Sequence, residues 1–221
     1  VVDDTVYFGT NDGLTARSVD DGTEAWTVGR DRRFVSAPAV VDGTVYAVTE
    51  QGRVSALDAE DGSEEWFVTV RGPVHTAPAV TGGTIYLGTD ANELVALDAT
   101  DGSSVFEFET RGDVRSSPAV ADGSVYVGSD DGYVYAIDAR AGERRWRYET
   151  RGDVRSSPAV TDDAVYVGSD DGHLYALNPE DGSLRWRFQV GDDVRSSPAV
   201  VDGAVVFVDV AGRLTVVEAA E

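Results

Sequence analysis

The chain has 221 residues, with 40 acidic residues against 18 basic ones, two histidines and no cysteine, and its formal net charge is −22. The lack of cysteine excludes a disulfide framework, a thiolate metal cluster and a cysteine nucleophile. The acidic balance argues against a nucleic-acid partner, because phosphate contacts need a basic face. No apolar run approaches the ~20 residues that a bilayer-spanning helix needs, so the sequence predicts no membrane span.

All 18 basic residues are arginine, and 27 of the 40 acids are aspartate. This lysine-free, acid-rich usage resembles that of salt-adapted haloarchaeal proteins, in which salt screens the repulsion between surface carboxylates. The alternative is an ordinary acidic protein from a GC-rich genome. The compartment stays open: extracellular, at the cell surface, or cytoplasmic in a high-salt organism.

A period of 40 residues organises the chain. Prolines recur at this interval without drift, each followed by Ala-Val, at Pro38, Pro78, Pro118, Pro158 and Pro198. The segment 111–120 recurs unchanged at 151–160. Self-similarity at such a period is typical of repeat architectures, in which each repeat is one structural unit.

Each repeat predicts four short strands, A to D, taken here from the repeat around Pro118. An extended Ser-Ser-Pro-Ala-Val piece (A) precedes an Asp-Gly turn and a strand over 125–129 (B). Strand C follows over 134–138, and strand D covers 144–150 around Trp146. These runs are β-branched or aromatic and end at turn residues, and no stretch keeps a helical period. Four-stranded sheets with apolar residues on both faces predict an all-β fold, a β-propeller of antiparallel blades.

The proline indicates the strand order, because it cannot donate a ladder hydrogen bond and belongs at a sheet edge. We therefore place strand A at the inner edge of each blade and strand D at the outer edge. The sequence opens within a repeat and closes before a final D strand, which predicts six blades, four complete and two three-stranded. We expect one propeller domain over 1–221 that is a piece of a longer chain, with a freestanding six-bladed ring as the alternative.

The segment 56–66, Ala-Leu-Asp-Ala-Glu-Asp-Gly-Ser-Glu-Glu-Trp, resembles the repeat signature of pyrroloquinoline-quinone-type (PQQ-like) propellers. The signature recurs with Asp138, Gly142 and Trp146, although Phe106 and Asn178 depart from it. The family is usually eight-bladed, so the resemblance implies a larger ring. It also implies that aromatic residues of strand D dock between blades, and these are Trp26, Trp66, Phe106, Trp146 and Trp186.

The resemblance implies two classes of function. One is the quinone-dependent dehydrogenases, which carry a vicinal cysteine pair and a calcium site on inserted loops. The other comprises non-enzymatic scaffolds such as BamB-like outer-membrane assembly factors, and sensor domains of larger proteins. This chain has neither cysteine nor inserted loops, so we expect a non-catalytic scaffold with no cofactor that binds a protein or ligand. A remnant dehydrogenase domain and a sensor domain of a larger signalling protein remain the alternatives.

Other catalytic or metal-binding constellations are thin. The two histidines, His75 and His173, fall in different repeats and different strand types, which does not favour a metal site or a Ser-His-Asp relay. The Asp-Asp-Gly segments at 130–132 and 170–172 lack a calcium-loop pattern and predict tight turns. We therefore expect no catalytic residue and no metal site.

One set of residues suggests a binding site. The position three residues before each proline is occupied by Val35, His75, Arg115, Arg155 and Arg195. Repetition should bring His75 and the three arginines to one rim of the channel, where guanidinium groups could hold an anionic small ligand or an acidic protein segment. The alternative is that each arginine pairs with the aspartate two residues upstream, namely Asp113, Asp153 or Asp193.

The salt-adaptation hypothesis predicts that the melting temperature rises steeply between low and molar salt, since the surface carboxylates then repel one another less. Thermal melts over this range test it. A melting temperature that is independent of salt would rule the hypothesis out.

Overall fold

The computed structural model describes residues 1–2 and 4–218, and within them it contains strands and turns but no helix. The 22 strands form six sheets in chain order. Sheet 1 contains β1 (Thr5–Thr10), β2 (Gly13–Ser18) and β3 (Glu24–Val28), and sheet 2 contains β4 (Ala39–Val41), β5 (Thr44–Val48), β6 (Arg53–Asp58) and β7 (Glu64–Thr69). Sheet 3 contains β8 (Ala79–Thr81), β9 (Thr84–Thr89), β10 (Glu93–Asp98) and β11 (Ser104–Glu109), and sheet 4 contains β12 (Ala119–Ala121), β13 (Ser124–Gly128), β14 (Tyr133–Asp138) and β15 (Arg144–Glu149). Sheet 5 contains β16 (Ala159–Val160), β17 (Val165–Ser169), β18 (His173–Leu177) and β19 (Leu184–Gln189), and sheet 6 contains β20 (Ala199–Val201), β21 (Ala204–Val208) and β22 (Leu214–Glu218).

Each sheet is a meander in which neighbours in sequence are neighbours in the sheet. Within residues 1–2 and 4–218, sheets 2 to 5 have four strands, sheet 1 has no strand A and sheet 6 has no strand D. The predicted blade composition, four complete and two three-stranded, is therefore confirmed. Strand A forms one edge of its sheet, as the proline predicts, and strand D forms the other.

One detail of the predicted strand A is wrong. The proline does not lie inside the strand; β12 begins at Ala119, directly after Pro118. The preceding Ser116 instead turns its side chain towards strand B, where its hydroxyl oxygen accepts from the Gly128 amide at 2.6 Å and donates to the Gly128 carbonyl at 3.0 Å. Side-chain hydrogen bonds thus replace the backbone hydrogen bonds between strands A and B that proline could not continue.

The hairpin turns explain the frequent aspartates. Between strands A and B of sheet 4, Asp122 and Gly123 have φ values of 47° and 69°, the left-handed pair that a tight hairpin requires. Between strands C and D, the Asp138 carboxylate accepts from the amides of Arg140 and Ala141 at 3.0 and 2.8 Å. Short carboxylates at these positions close the turns as well as add charge.

The chain divides into two compact units. The first contains Val1–Ala91 and Val95–Glu107, and the second contains Asn92–Leu94 and the chain from Phe108 onwards. In the first unit, sheets 1 and 2 pack through Leu14, Trp26 and Val45, and a second core joins sheets 2 and 3. In the second unit, one core joins sheets 4 and 5 and another joins sheets 5 and 6.

Tryptophans of strand D lie against the next sheet within each unit. Trp146 is 7% exposed, its Nε1 donates to the Pro179 carbonyl at 2.9 Å, and its ring covers Gly182, where an added Cβ would come 2.6 Å from the ring. Tyr126 donates to the same carbonyl at 3.3 Å. The equivalent arrangement holds Trp26 over Gly62 and Trp66 over Gly102.

The two remaining aromatic residues of this set also lie next to a tyrosine of their own sheet. Phe106 has its ring centroid 6.3 Å from that of Tyr86. Trp186 lies 5.8 Å from Tyr166 and packs into the core that joins sheets 5 and 6.

In the part of the chain that the structure describes, no helix has the length and apolar character to cross a membrane.

Replacing Trp146 by alanine should lower the free energy of unfolding by about 3–5 kcal/mol, because the substitution removes a buried ring and leaves a cavity over Gly182. Phe188→Ala, on strand D of the next sheet, is the matched control, since Phe188 is 41% exposed and should cost about 1 kcal/mol or less. Denaturant melts of both variants measure the difference. Equal losses would show that the Trp146 ring does not join the sheets.

Candidate functional site

The repeated arginines lie at one end of the strands in the second unit. At this end strand D stops, strand A begins, and strand B turns into strand C. It is called here the ladder edge, after the series of ion pairs described below. Arg115 and Arg155 belong to loops between strands D and A, and Asp130 and Asp170 belong to the turns between strands B and C. Because both kinds of segment meet at one end of a meander, residues 15 positions apart come into contact.

Asp130 lies between two arginines of neighbouring sheets. Its carboxylate accepts from Arg115 Nη1 at 2.9 Å, and from Arg155 Nε and Nη2 at 3.0 and 3.1 Å. The second contact is the bidentate geometry in which a guanidinium binds a carboxylate most strongly. Asp130 therefore ties sheet 4 to sheet 5, and its side chain is only 13% exposed.

Asp170 repeats this arrangement one sheet further on. Its carboxylate accepts from Arg155 Nη1 at 3.3 Å, and from Arg195 Nε at 3.0 Å and Nη2 at 2.9 Å. The alternating series Arg115, Asp130, Arg155, Asp170 and Arg195 is called here the ladder. It crosses three consecutive sheets of the second unit.

Each arginine of the ladder also pairs with the aspartate two residues upstream. The distances are 2.8 Å from Arg115 to Asp113, 2.7 Å from Arg155 to Asp153, and 2.8 Å from Arg195 to Asp193. This is the pairing considered above as the alternative to a free cationic arc. With three arginines against five aspartates, the group carries a formal charge of −2, so the expected local excess of positive charge is absent from it.

The ion pairs stabilise the charged guanidinium groups. Hydrogen bonds to Asp130 raise the pKa of Arg155, and the nearby Asp153 and Asp170 carboxylates add to the effect. Hydrogen bonds to Asp170 likewise raise the pKa of Arg195. Arg155 and Arg195 therefore remain protonated and are unsuited to exchanging protons at neutral pH.

His75 takes the corresponding place in the first unit. Its Nε2 lies 3.4 Å from Asp90 Oδ2, so His75 and Asp90 repeat the pairing of Arg115 with Asp130 in weaker form. The structure thus brings Arg115, Arg155 and Arg195 together in one unit and places His75 in the other. Val35, at the same repeat position, carries no charge.

Backbone contacts hold the ladder loops in register. The amide of Asp130 donates to the Asp113 carbonyl at 2.8 Å, and that of Asp170 donates to the Asp153 carbonyl at 2.9 Å. Neighbouring loops are also linked directly, because the Ser117 amide donates to Ser157 Oγ at 2.8 Å. The second serine of each Ser-Ser-Pro segment thereby joins adjacent sheets, while the first joins strands A and B.

A second polar cluster, which the sequence pattern did not reveal, lies beside the ladder. The Asp131 carboxylate accepts from the Tyr135 hydroxyl at 2.6 Å and from the amides of Arg111 and Tyr133 at 2.9 and 3.0 Å. Asp171 accepts equivalent bonds from Tyr175, Arg151 and His173. The predicted tight turns at 130–132 and 170–172 are present, but the second aspartate of each also anchors the loop of the preceding repeat.

Burial and these hydrogen bonds set the protonation states of the cluster. Burial raises the pKa of Tyr135 and Tyr175, and the hydrogen-bonded aspartate beside each raises it further. Burial also acts to raise the pKa of Asp171, but bonds from Tyr175, Arg151 and His173 outweigh it and lower the pKa. The tyrosines therefore stay neutral donors and Asp171 stays a charged acceptor. Over the described residues, no three acidic or histidine side chains converge in a way suited to a metal ion.

The ladder ends in sheet 6, where Val210 stands at the position of Asp130 and Asp170. The Val210 amide keeps the repeated bond to the loop, donating to the Asp193 carbonyl at 3.0 Å. Among the described residues, however, Arg195 Nη1 has no partner like those of Arg115 and Arg155. Arg195 is accordingly the most exposed arginine of the ladder, at 47% of its side chain.

Comparison with known proteins identifies the family. The profile of the family described as outer membrane protein assembly factor BamB matches residues 1–77, 69–158 and 150–221. The chain belongs to this family. Its repeats are PQQ-like β-propeller repeats, as the sequence signature implies. The sequence matches no curated protein significantly.

Solved structures agree on the fold. BamB from Moraxella catarrhalis superposes with a TM-score of 0.82 at 19% identity, over 99% of this chain and 73% of that protein. The computationally designed Ika8 protein superposes with a TM-score of 0.88 at 17% identity, over 98% and 68%. The quinohemoprotein alcohol dehydrogenase ADHIIG from Pseudomonas putida HK5 gives 0.71 at 22% identity, over 86% of this chain and 41% of that one. At these identities, the likeness concerns the β-propeller fold alone.

Replacing Arg155 by alanine should destabilise the protein by about 1–3 kcal/mol, because Asp130 and Asp170 would lose charged donors at sites with little access to water. Arg151→Ala is the matched control: the same charge is removed from the same loop, but only the backbone amide of Arg151 takes part in the contacts described above. Its effect should stay within about 0.5 kcal/mol. Denaturant titrations compare the two variants, and equal effects would show that the ladder does not stabilise the fold.

Proposed function

We propose that this protein is a non-catalytic β-propeller scaffold that binds a partner protein at the ladder edge. The observation that carries the proposal is the ladder itself, in which charged side chains of three successive sheets fix one another at the surface. Arg155 is held by Asp130, Asp153 and Asp170 and is still 29% exposed. Such a surface is both ordered and accessible.

Order before binding favours recognition. A free arginine side chain loses rotamer freedom when it is immobilised at an interface, at a cost of about 0.5–1.5 kcal/mol. In the ladder this ordering is already supplied by folding, because each guanidinium is held by two or three carboxylates. A partner that meets this edge therefore finds a fixed alternation of donors and acceptors.

The charge of the edge favours a protein over a small anion. The guanidinium groups already bind carboxylates, so a free phosphate or carboxylate ligand would have to displace an intramolecular aspartate. A protein surface can instead add hydrogen bonds around the exposed sides of the existing pairs, and polar rims of this kind contribute specificity.

The proposed absence of catalysis rests on how the reactive groups are used. The carboxylates of Asp131 and Asp171 accept three or more hydrogen bonds each, and the hydroxyls of Tyr135 and Tyr175 donate to them. These groups hold loops in place. The family description, an assembly factor, is consistent with a binding role.

Site-specific photocrosslinking in cells of the source organism tests the proposal. A photoreactive residue at Arg111, exposed at the ladder edge, should yield a discrete adduct with one partner protein. The same residue at Asp162, exposed at the opposite ends of the strands in the same unit, is the matched control and should not yield that adduct. The adduct should also weaken when Arg155→Ala is added.

Two results would contradict the proposal. Equal adducts from Arg111 and Asp162 would show that the ladder edge is not the binding surface. Saturable binding of pyrroloquinoline quinone in the presence of calcium, followed by the absorbance of the quinone, would favour the dehydrogenase alternative over a scaffold.

A further inference from the structure

A cleft of ≈ 480 Å³ opens in the first unit between sheets 2 and 3. It lies at the ends of the strands where A turns into B and C turns into D, opposite to the kind of edge that carries the ladder. Its lining includes Asp42, Thr44, Glu65, Gly82, Gly83 and Thr100. The cleft is therefore a site separate from the proposed partner surface, and its binding chemistry does not depend on the ladder.

Sheet 4 shows which group can occupy the repeat position of Glu65. There the residue is Arg145, and its guanidinium lies over the turn between strands A and B. Arg145 Nη1 donates to Ser124 Oγ at 2.7 Å, and Nη2 donates to Asp138 Oδ2 at 2.8 Å. A longer contact of 3.4 Å reaches the Asp122 carbonyl.

Sheet 2 retains the acceptors of this guanidinium. Thr44 stands where sheet 4 has Ser124, and Asp42 and Asp58 stand where it has Asp122 and Asp138. The turn has the same backbone shape, with φ values of 50° at Asp42 and 81° at Gly43 against 47° and 69° at Asp122 and Gly123. Asp42 and Thr44 line the cleft, and the arginine of sheet 4 is replaced there by a further carboxylate, that of Glu65.

Small residues of sheet 3 keep the cleft open. Sheet 3 places Gly82 and Gly83 at its first turn, where sheet 5 has Asp162 and Asp163. Both glycines have positive φ, and no heavy atom lies within 4 Å of a Cβ added to either. The missing side chains leave room for a group from outside.

The electrostatics of the cleft favour a cation. Among the described residues, no arginine or histidine nitrogen lies within 4.0 Å of the Asp42, Glu65 or Asp98 carboxylates. All three carboxylates act on the Tyr46 hydroxyl: burial raises its pKa, and the charges of Glu65, Asp42 and Asp98 raise it further. Tyr46 and Val80 supply an apolar wall along which the methylene chain of an arginine could lie.

We propose that this cleft binds the guanidinium group of an arginine side chain presented by a partner protein, in the place that Arg145 fills within sheet 4. Arginine is preferred to lysine because in sheet 4 the equivalent acceptors bind two different nitrogens of one guanidinium, Nη1 and Nη2, which suits a planar group with five donors better than a point charge.

Nuclear magnetic resonance titration of the full chain tests the proposal, at the lowest salt concentration at which the chain stays folded. The probes are three capped tripeptides: Gly-Arg-Gly, Gly-Lys-Gly and Gly-citrulline-Gly. The arginine peptide should shift the amide signals of Gly82, Gly83 and Thr100 saturably, with an affinity at least fivefold above that of the lysine peptide. The citrulline peptide, which has the same shape without the charge, should not saturate.

Substitutions locate the site. Glu65→Arg should fill the cleft from within, as Arg145 does, and weaken the binding of the arginine peptide at least tenfold. Glu107→Arg makes the same change of charge on exposed strand D of sheet 3 and should weaken the binding less than threefold. Asp42→Asn removes one carboxylate that lines the cleft and should also weaken the binding of the arginine peptide.

The outcomes separate clearly. Equal weakening by Glu65→Arg and Glu107→Arg would overturn the proposal, since the binding would then follow net charge alone. Equal affinity for the arginine and lysine peptides would overturn the assignment to guanidinium. An undiminished affinity of the Asp42→Asn variant would contradict the proposed place of the guanidinium in the cleft.

Discussion

The glycine between strands C and D is the constraint on which the packing of the sheets depends. Gly62, Gly102 and Gly182 have φ values near +70°, which closes the turn, and each also lies beneath a tryptophan of the preceding sheet. A side chain there would both strain the backbone and collide with the ring. One residue thus couples the end of a hairpin to the docking of the next sheet.

The large negative charge is compatible with this packing because many of the aspartates make hydrogen bonds that stabilise turns and loops. Aspartates close the hairpins, cap the turns between strands C and D, and accept hydrogen bonds from tyrosine hydroxyls and loop amides. Hydrogen bonds to Arg145 and to the Ala141 and Arg140 amides lower the pKa of Asp138 to about 2. The Asp138 carboxylate therefore remains charged under all but strongly acidic conditions, and its turn depends on that charge.

The sequence predicts the sheets well because a 40-residue period repeats the same local signals five times. The turns, the two incomplete sheets and the positions of the tryptophans follow from strand chemistry and the family signature. The extent of strand A does not, since the serine side chains before Pro118 take over hydrogen bonds that the backbone pattern would assign to a ladder.

The candidate site was predicted only in part. The repeat spacing aligns Arg115, Arg155 and Arg195, but their principal partners, Asp130 and Asp170, lie 15 residues downstream or 25 residues upstream in the sequence. Pairing across two sheets has no signal in a linear pattern, whereas the aspartate two residues upstream is visible at once. The recurrence of Asp90, Asp130 and Asp170 at 40-residue intervals marks these aspartates in the sequence but does not show that they meet the arginines.

Divergence between repeats is therefore the most informative feature of this protein. Where positions are the same in successive repeats, they serve contacts that every sheet must make, as Ser116 and Ser156 do with strand B. Where one repeat has a different residue at such a position, it lacks an ion pair or hydrogen bond that the neighbouring repeats form within the chain. Val210 ends the ladder beside an exposed Arg195, and Glu65 replaces the guanidinium that sheet 4 supplies for itself. The proposed guanidinium cleft lies at such a departure, whereas the proposed partner surface is built from arginines that recur in three successive sheets.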